Sequence, residues 1–165
     1  MTVPDVAFGI IAAAMVLATI GVVTVRNVVH AALYLVIVLA GVAAQYILLT
    51  AEFVAWVQVL IYIGAIIVLF LFGIMLTRAP MSNDPDLDNP PGVRLPALVV
   101  AIFLLGVLAS LLGDAFGKTE LEGITPTTTA TVGDAIFQNY VIPFEVVSML
   151  LLAALIGAVV IAKRD

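Results

Sequence analysis

Five long, nearly charge-free apolar runs restrict this chain more than any other feature. A helix needs about 20 mostly apolar residues to cross the hydrocarbon core of a bilayer. Runs of that length fall at roughly 4–25, 28–50, 53–77, 95–112 and 139–162. A soluble fold cannot hide them. The chain is 64% hydrophobic and 10% charged, against roughly half and a quarter in soluble domains. A domain this small buries only about two-thirds of its unfolded surface. The excess must face lipid or partner helices. The sequence therefore predicts an all-α membrane protein: five transmembrane helices in a single membrane domain, residues 1–165. A transmembrane β-barrel is excluded, because its strands would alternate polar and apolar over about ten residues.

Local signals set the ends of the runs. Pro4 and Asp5 suit a helix start. Asn27 is placed to N-cap the second helix. A very short turn at Ala51-Glu52 makes the first three helices antiparallel neighbours. Residues 78–94 hold Pro80, Pro85, Pro90 and Pro91 with Asp84, Asp86 and Asp88, and must be a loop in water. Residues 113–138, with the run Thr127-Thr128-Thr129 and several glycines, form a second loop. Five spans put the termini on opposite sides. One side carries Arg26, Arg78, Arg94, Lys163 and Arg164, the other Lys118. Basic residues stay on the cytoplasmic side, so the N-terminus is expected outside and the C-terminus in the cytoplasm. Tyr46, Trp56 and Tyr140 then lie at the outer interface, where amphipathic rings sit. The N-terminus lacks the basic region of a cleaved signal peptide. With no targeting peptide evident, a bacterial inner (plasma) membrane is the expected location.

Chemistry is sparse. The chain has no cysteine and one histidine, which excludes disulfides, cysteine-held clusters and a haem with two axial imidazoles. Metal ligation and catalytic motifs are likewise missing from the pattern. His30, beside Arg26, reads as an interface or packing residue. No basic stripe points to nucleic acid. Ion pathways need several buried ionisable groups, and only two carboxylates are placed to matter. Glu52 lies in the short outer turn and reads as a solvated interface charge. Glu145 follows Pro143. If Pro143 opens the last helix, Glu145 is a first-turn carboxylate favoured by the helix dipole. If the helix opens near Asn139, Glu145 lies deeper, where a charge costs about 2.5–3.5 kcal/mol and needs a partner or a proton.

The third run, FVAWVQVLIYIGAIIVLFLFGIML, is the most informative. Gln58 and Tyr62 are four apart and share a face. Tyr62 lies roughly 13 Å beyond Phe53 at 1.5 Å per residue, so its hydroxyl needs a hydrogen-bond partner inside the membrane. Gly64 follows. Either a neighbouring helix packs closely there, or the backbone carries a local defect such as a π-bulge, a feature of functional sites.

Three stretches, RNVVHAALYLV at 26–36, AEFVAWVQVLIYIGAIIVLFLFGIML at 51–76 and YVIPFEVVSMLLLAALIGAVVIAKR at 140–164, carry a family resemblance. Together the chain resembles the subunit J (chain 6) family of the proton-pumping NADH–quinone oxidoreductase, respiratory complex I. The resemblance implies a membrane-arm subunit without redox centre, catalytic centre, cofactor or metal of its own. FMN, iron–sulfur clusters and quinone would sit elsewhere in the complex. The implied partners are the lipid bilayer and the A-, K- and H-type membrane subunits. It further implies a π-bulge over Tyr62 to Gly64, extending toward Val68. Interconversion of that bulge with α-helix would open or close a water path coupling quinone reduction to proton translocation. Glu145 and Glu52 match the family's Phe-Glu and Ala-Glu-Phe elements. The rival readings are a subunit of a multi-subunit cation/proton antiporter and a stand-alone carrier, the latter opposed by the shortage of membrane-embedded charge.

Overall fold

A computed structural model describes residues 3–77, 91–117 and 126–163. Five of its helices are long and apolar enough to cross a membrane. They are α1 (Val3–Thr24), α2 (Val28–Leu48), a composite third span (Glu52–Leu76), α5 (Pro91–Phe116) and α7 (Val141–Ala162). The third span consists of α3 (Glu52–Val57), a π-helical segment (Gln58–Ile67) and α4 (Val68–Leu76). A short helix, α6 (Thr129–Asn139), precedes α7. Apart from one isolated parallel bridge, Ala51 to Thr127, the described residues contain no β-structure.

The first three spans form a row with α2 in the middle. It packs against α1 on one side and the whole third span on the other, while α1 and the third span do not touch. Asn27 caps α2 as expected: its extended backbone turns Oδ1 toward the N–H groups of Val29 at 2.9 Å and His30 at 3.4 Å. Two reciprocal contacts lock α1 to α2. A Cβ built on Gly21 would lie 2.7 Å from the Tyr34 ring, and one built on Gly41 would run into Met15. Each helix thus offers a glycine notch to a large side chain of the other. Small residues let membrane helices approach where lipid gives no hydrophobic drive to do so.

The turn from α2 to α3 falls at Leu49, Thr50 and Ala51, starting two residues and ending one residue before the expected Ala51-Glu52. The Thr50 N–H donates to the Ile47 carbonyl at 3.0 Å and the Ala51 N–H to Tyr46 at 2.9 Å. This paired arrangement needs a left-handed residue at its apex, usually glycine. Here it is Thr50, with φ of 57°, a strained position for a β-branched side chain.

Two expected boundaries change. The apolar run predicts the fourth helix at 95–112, between the loops 78–94 and 113–138. It runs instead from Pro91 to Phe116. Proline suits a first helical position, so Pro91 opens the helix. The ladder then passes through Gly113 to a bond from the Gly117 N–H to the Gly113 carbonyl at 2.9 Å. The second expected loop also contains α6. Thr128 caps it, accepting from the Thr131 N–H at 3.3 Å. Its 11 residues reach only about 16 Å, too short to cross a core about 30 Å thick. Val132, Ala135 and Ile136 are half-buried while Thr131, Asp134 and Gln138 are exposed. That is the pattern of a helix lying on a surface, and the regular spacing was masked by its threonines and glycine. The rest of the expected loop 78–94, residues 78–90, lies outside the described residues, as do 118–125.

Candidate functional site

The third span carries the features of interest. Ala55, Gln58, Ile67 and Ile74 are its buried residues. Of the two readings of the Tyr62–Gly64 stretch, the backbone takes the π form. Ten residues, Gln58 to Ile67, are π-helical, and Tyr62 and Gly64 both lie inside. Val68 is the first residue of α4, and its N–H donates back to the Ala65 carbonyl in a tight turn. Where a ladder returns from five-residue to four-residue spacing, one carbonyl is passed over. Within a bilayer such a group needs water or protein to satisfy it.

Close packing around Gly64 is not what the described residues provide. A Cβ there would meet only its own helix, the Val59 carbonyl oxygen at 3.5 Å, an ordinary contact. Gly21 and Gly41 fill the close-packing role instead, and nothing in the apolar pattern around them sets them apart from the other glycines. Tyr62 is 46% exposed and makes no hydrogen bond to any described residue. Its ring therefore faces outward from the three-span row. Gln58 at the head of the segment is only 7% exposed.

The two carboxylates lie apart from the π segment. Glu52 is exposed in the first turn of α3, where the helix dipole favours a negative charge. The last helix opens before Pro143, as in the second placement of Glu145, at Val141 and not at Asn139 itself. Tyr140 breaks the chain between α6 and α7, and α7 opens at Val141. Pro143 is then its third residue, where the helix needs no N–H. The first bond of the ladder runs from the Phe144 N–H to the Tyr140 carbonyl at 3.0 Å. Proline therefore does not mark the helix start. Glu145 stands exposed one residue beyond the first turn, its carbonyl accepting from Ser148 Oγ at 2.7 Å. The Phe137 and Phe144 rings meet edge to face at 5.1 Å across the break.

His30 is exposed in the first turn of α2. An apolar cleft of about 380 Å³ separates Phe53, Trp56, Val57, Leu60 and Ile61 from Thr129 of α6. Tyr62, Gly64 and Glu145 do not line it. Among the described residues no three His, Cys, Asp or Glu side chains converge to hold a metal. With no cysteine and one histidine in the chain, its donor set does not fit an iron–sulfur cluster.

With this geometry in view, the comparisons are specific. The family model for NADH-ubiquinone/plastoquinone oxidoreductase chain 6 matches residues 18–161. The F(420)H(2) dehydrogenase subunit J of Methanosarcina mazei is 42% identical over 161 residues, covering 96% of this chain and 90% of the relative. The NAD(P)H-quinone oxidoreductase chain 6 of Synechocystis is 37% identical over 164 residues, covering 97% and 81%. The chloroplastic subunit 6 of Nephroselmis olivacea is 38% identical over 151 residues, covering 92% and 88%.

Proposed function

The chain belongs to the NADH-ubiquinone/plastoquinone oxidoreductase chain 6 family, and on that premise we propose that it is a membrane-arm subunit coupling quinone reduction to proton translocation. It takes part in a multi-subunit oxidoreductase of the complex I type and carries no redox chemistry itself. FMN, iron–sulfur clusters and quinone belong to other subunits, in keeping with a chain lacking cysteine. The neighbours are membrane subunits of the A, K and H types. The location is an energy-transducing membrane, here the bacterial plasma membrane with the N-terminus outside, in keeping with the lysine and arginine distribution. The relatives' names include both NAD(P)H and F(420)H(2) as donors and both plastid and prokaryotic sources, so the donor follows from the rest of the complex.

The observation that carries the coupling reading is the π segment at Gln58–Ile67, enclosing Tyr62 and Gly64 and ending against Val68. π-Helical turns persist at functional sites. A segment with two discrete hydrogen-bond registers is the kind of bistable element a switch requires. Converting π to α would turn Tyr62 relative to one end of the span and change which polar groups face the membrane interior. Glu145 and Glu52 supply carboxylates at the span ends and at most flank the path; Gly64, free of a Cβ, permits the change of register.

Purification through a C-terminal tag in mild detergent tests membership of the complex. Co-purifying flavin, iron–sulfur and quinone-site subunits support it, whereas antiporter subunits without chromophores would replace it. The switch has its own test. Gly64→Leu is expected to slow proton transfer at least about tenfold, the effect of roughly 1.4 kcal/mol on its barrier, and so to lower the protons moved per electron more than it impairs assembly. A normal ratio in that variant removes the switch.

A further inference from the structure

Gln58 is the buried polar side chain of the described residues, 7% exposed at the head of the π segment. The segment it opens packs on α2. Counted from the turn at Thr50, Gln58 is level with Ala43 of α2, itself buried. Gln58 lies six residues into the third span, about 9 Å below its end and so within the hydrocarbon layer. The amide makes no hydrogen bond to any described residue. It is also not sealed in, since among the described residues no fully enclosed side-chain nitrogen or oxygen is left without a partner. The stem is therefore covered and the amide tip reaches the chain surface at depth. Facing hydrocarbon there would cost a few kcal/mol.

One further polar group lies close by. Tyr62 is one helical turn along and likewise has no hydrogen-bond partner among the described residues. Side chains four apart stand about 5–6 Å from each other at Cβ. Two hydrogen bonds of about 2.8 Å in series cover such a gap. We propose that the Gln58 amide holds a water molecule shared with the Tyr62 hydroxyl, making Gln58 a positioning residue for the proton path. An amide offers donors and an acceptor at once and cannot itself take the proton. It fixes the water's orientation and leaves its protons to move. The proposal rests on the coupling reading above and adds to it a named residue and its ligand.

The test uses the intact complex in proteoliposomes. Gln58→Met keeps length and volume but removes the hydrogen bonds. Losing a neutral hydrogen bond worth about 1 kcal/mol should slow proton transfer about fivefold with quinone reduction uncoupled rather than lost. Gln58→Glu, isosteric and still able to bind water, should recover most of the pumping. Normal pumping by Gln58→Met overturns the proposal. So does a complex that sheds this subunit more readily yet pumps normally, since the amide would then bond a partner subunit. If Gln58→Met does not assemble, a density map of the unaltered complex decides. Ordered water within about 3.2 Å of the amide supports the proposal; a partner side chain or lipid there overturns it. Normal pumping by Gly64→Leu with impaired Gln58→Met would retire the switch and leave the water site standing.

Discussion

The three-span row and the two later spans look alike in composition and behave differently in the fold. Every buried residue of the described chain lies in α1, α2 or the third span. Helix α2 is gripped on both sides, capped by Asn27 and closed by the turn at Thr50. In contrast, α5 touches no other described element, and α7 touches only α6. All five spans nevertheless exceed the hydropathy a membrane helix needs. Hydrophobicity places a helix in the bilayer but does not tell it which neighbour to choose, because lipid tails are as apolar as leucine. Close lateral contact comes from notches and knobs, which α1 and α2 have and α5 does not present to this chain.

The sharpest way to break that contrast is to fill a notch. Gly41→Leu should cost about 3 kcal/mol or more through overpacking against Met15, read as loss of this subunit from the complex on native gels. Gly106→Leu on α5 meets nothing among the described residues and should leave the row intact. If both variants lose the subunit equally, a partner subunit packs on α5 as tightly as α1 packs on α2. A smaller effect is expected at the cap. Asn27→Ala should lower the temperature at which the subunit leaves the complex, reflecting about 1 kcal/mol. No change would mean that α2 is held by its neighbours alone. The smallest effect has the opposite sign. Thr50→Gly relieves a left-handed β-branched residue, a strain of about 1–2 kcal/mol, partly offset by glycine's greater freedom when unfolded. A net gain under about 1 kcal/mol should appear as slightly higher thermal retention, and a loss would show that the Thr50 side chain has a contact worth more than its strain.

Much of the candidate site was legible before the fold. The polar pair Gln58 and Tyr62 and the glycine at 64 stand out in an otherwise apolar run, and the family pattern singles out Tyr62, Gly64 and Val68. The extent of the π segment was not legible. Five-residue and four-residue ladders use the same side chains and differ by small backbone energies that neighbouring packing settles. Helix α6 was not legible because threonine and glycine are weak helix formers; its cap and its half-buried face against the third span hold it. Which of the two placements of Glu145 holds was not legible, because proline is tolerated anywhere in the first turn of a helix, and here the break at Tyr140, three residues before Pro143, sets the start.

The sequence by itself determined that this is a five-span helical membrane protein, where three of the spans start to within a residue, and which family it belongs to. Those properties follow from a local requirement: each backbone polar group in lipid must be satisfied within its own helix, and apolar run length records where that is demanded. Only the tertiary structure decided that α2 is the central helix, that Gly21 and Gly41 are the notches, that Gln58 is buried while Tyr62 faces out, and that the middle of the third span is π-helical. These depend on which side of each helix meets which neighbour, and a helix apolar all round leaves that choice to shape.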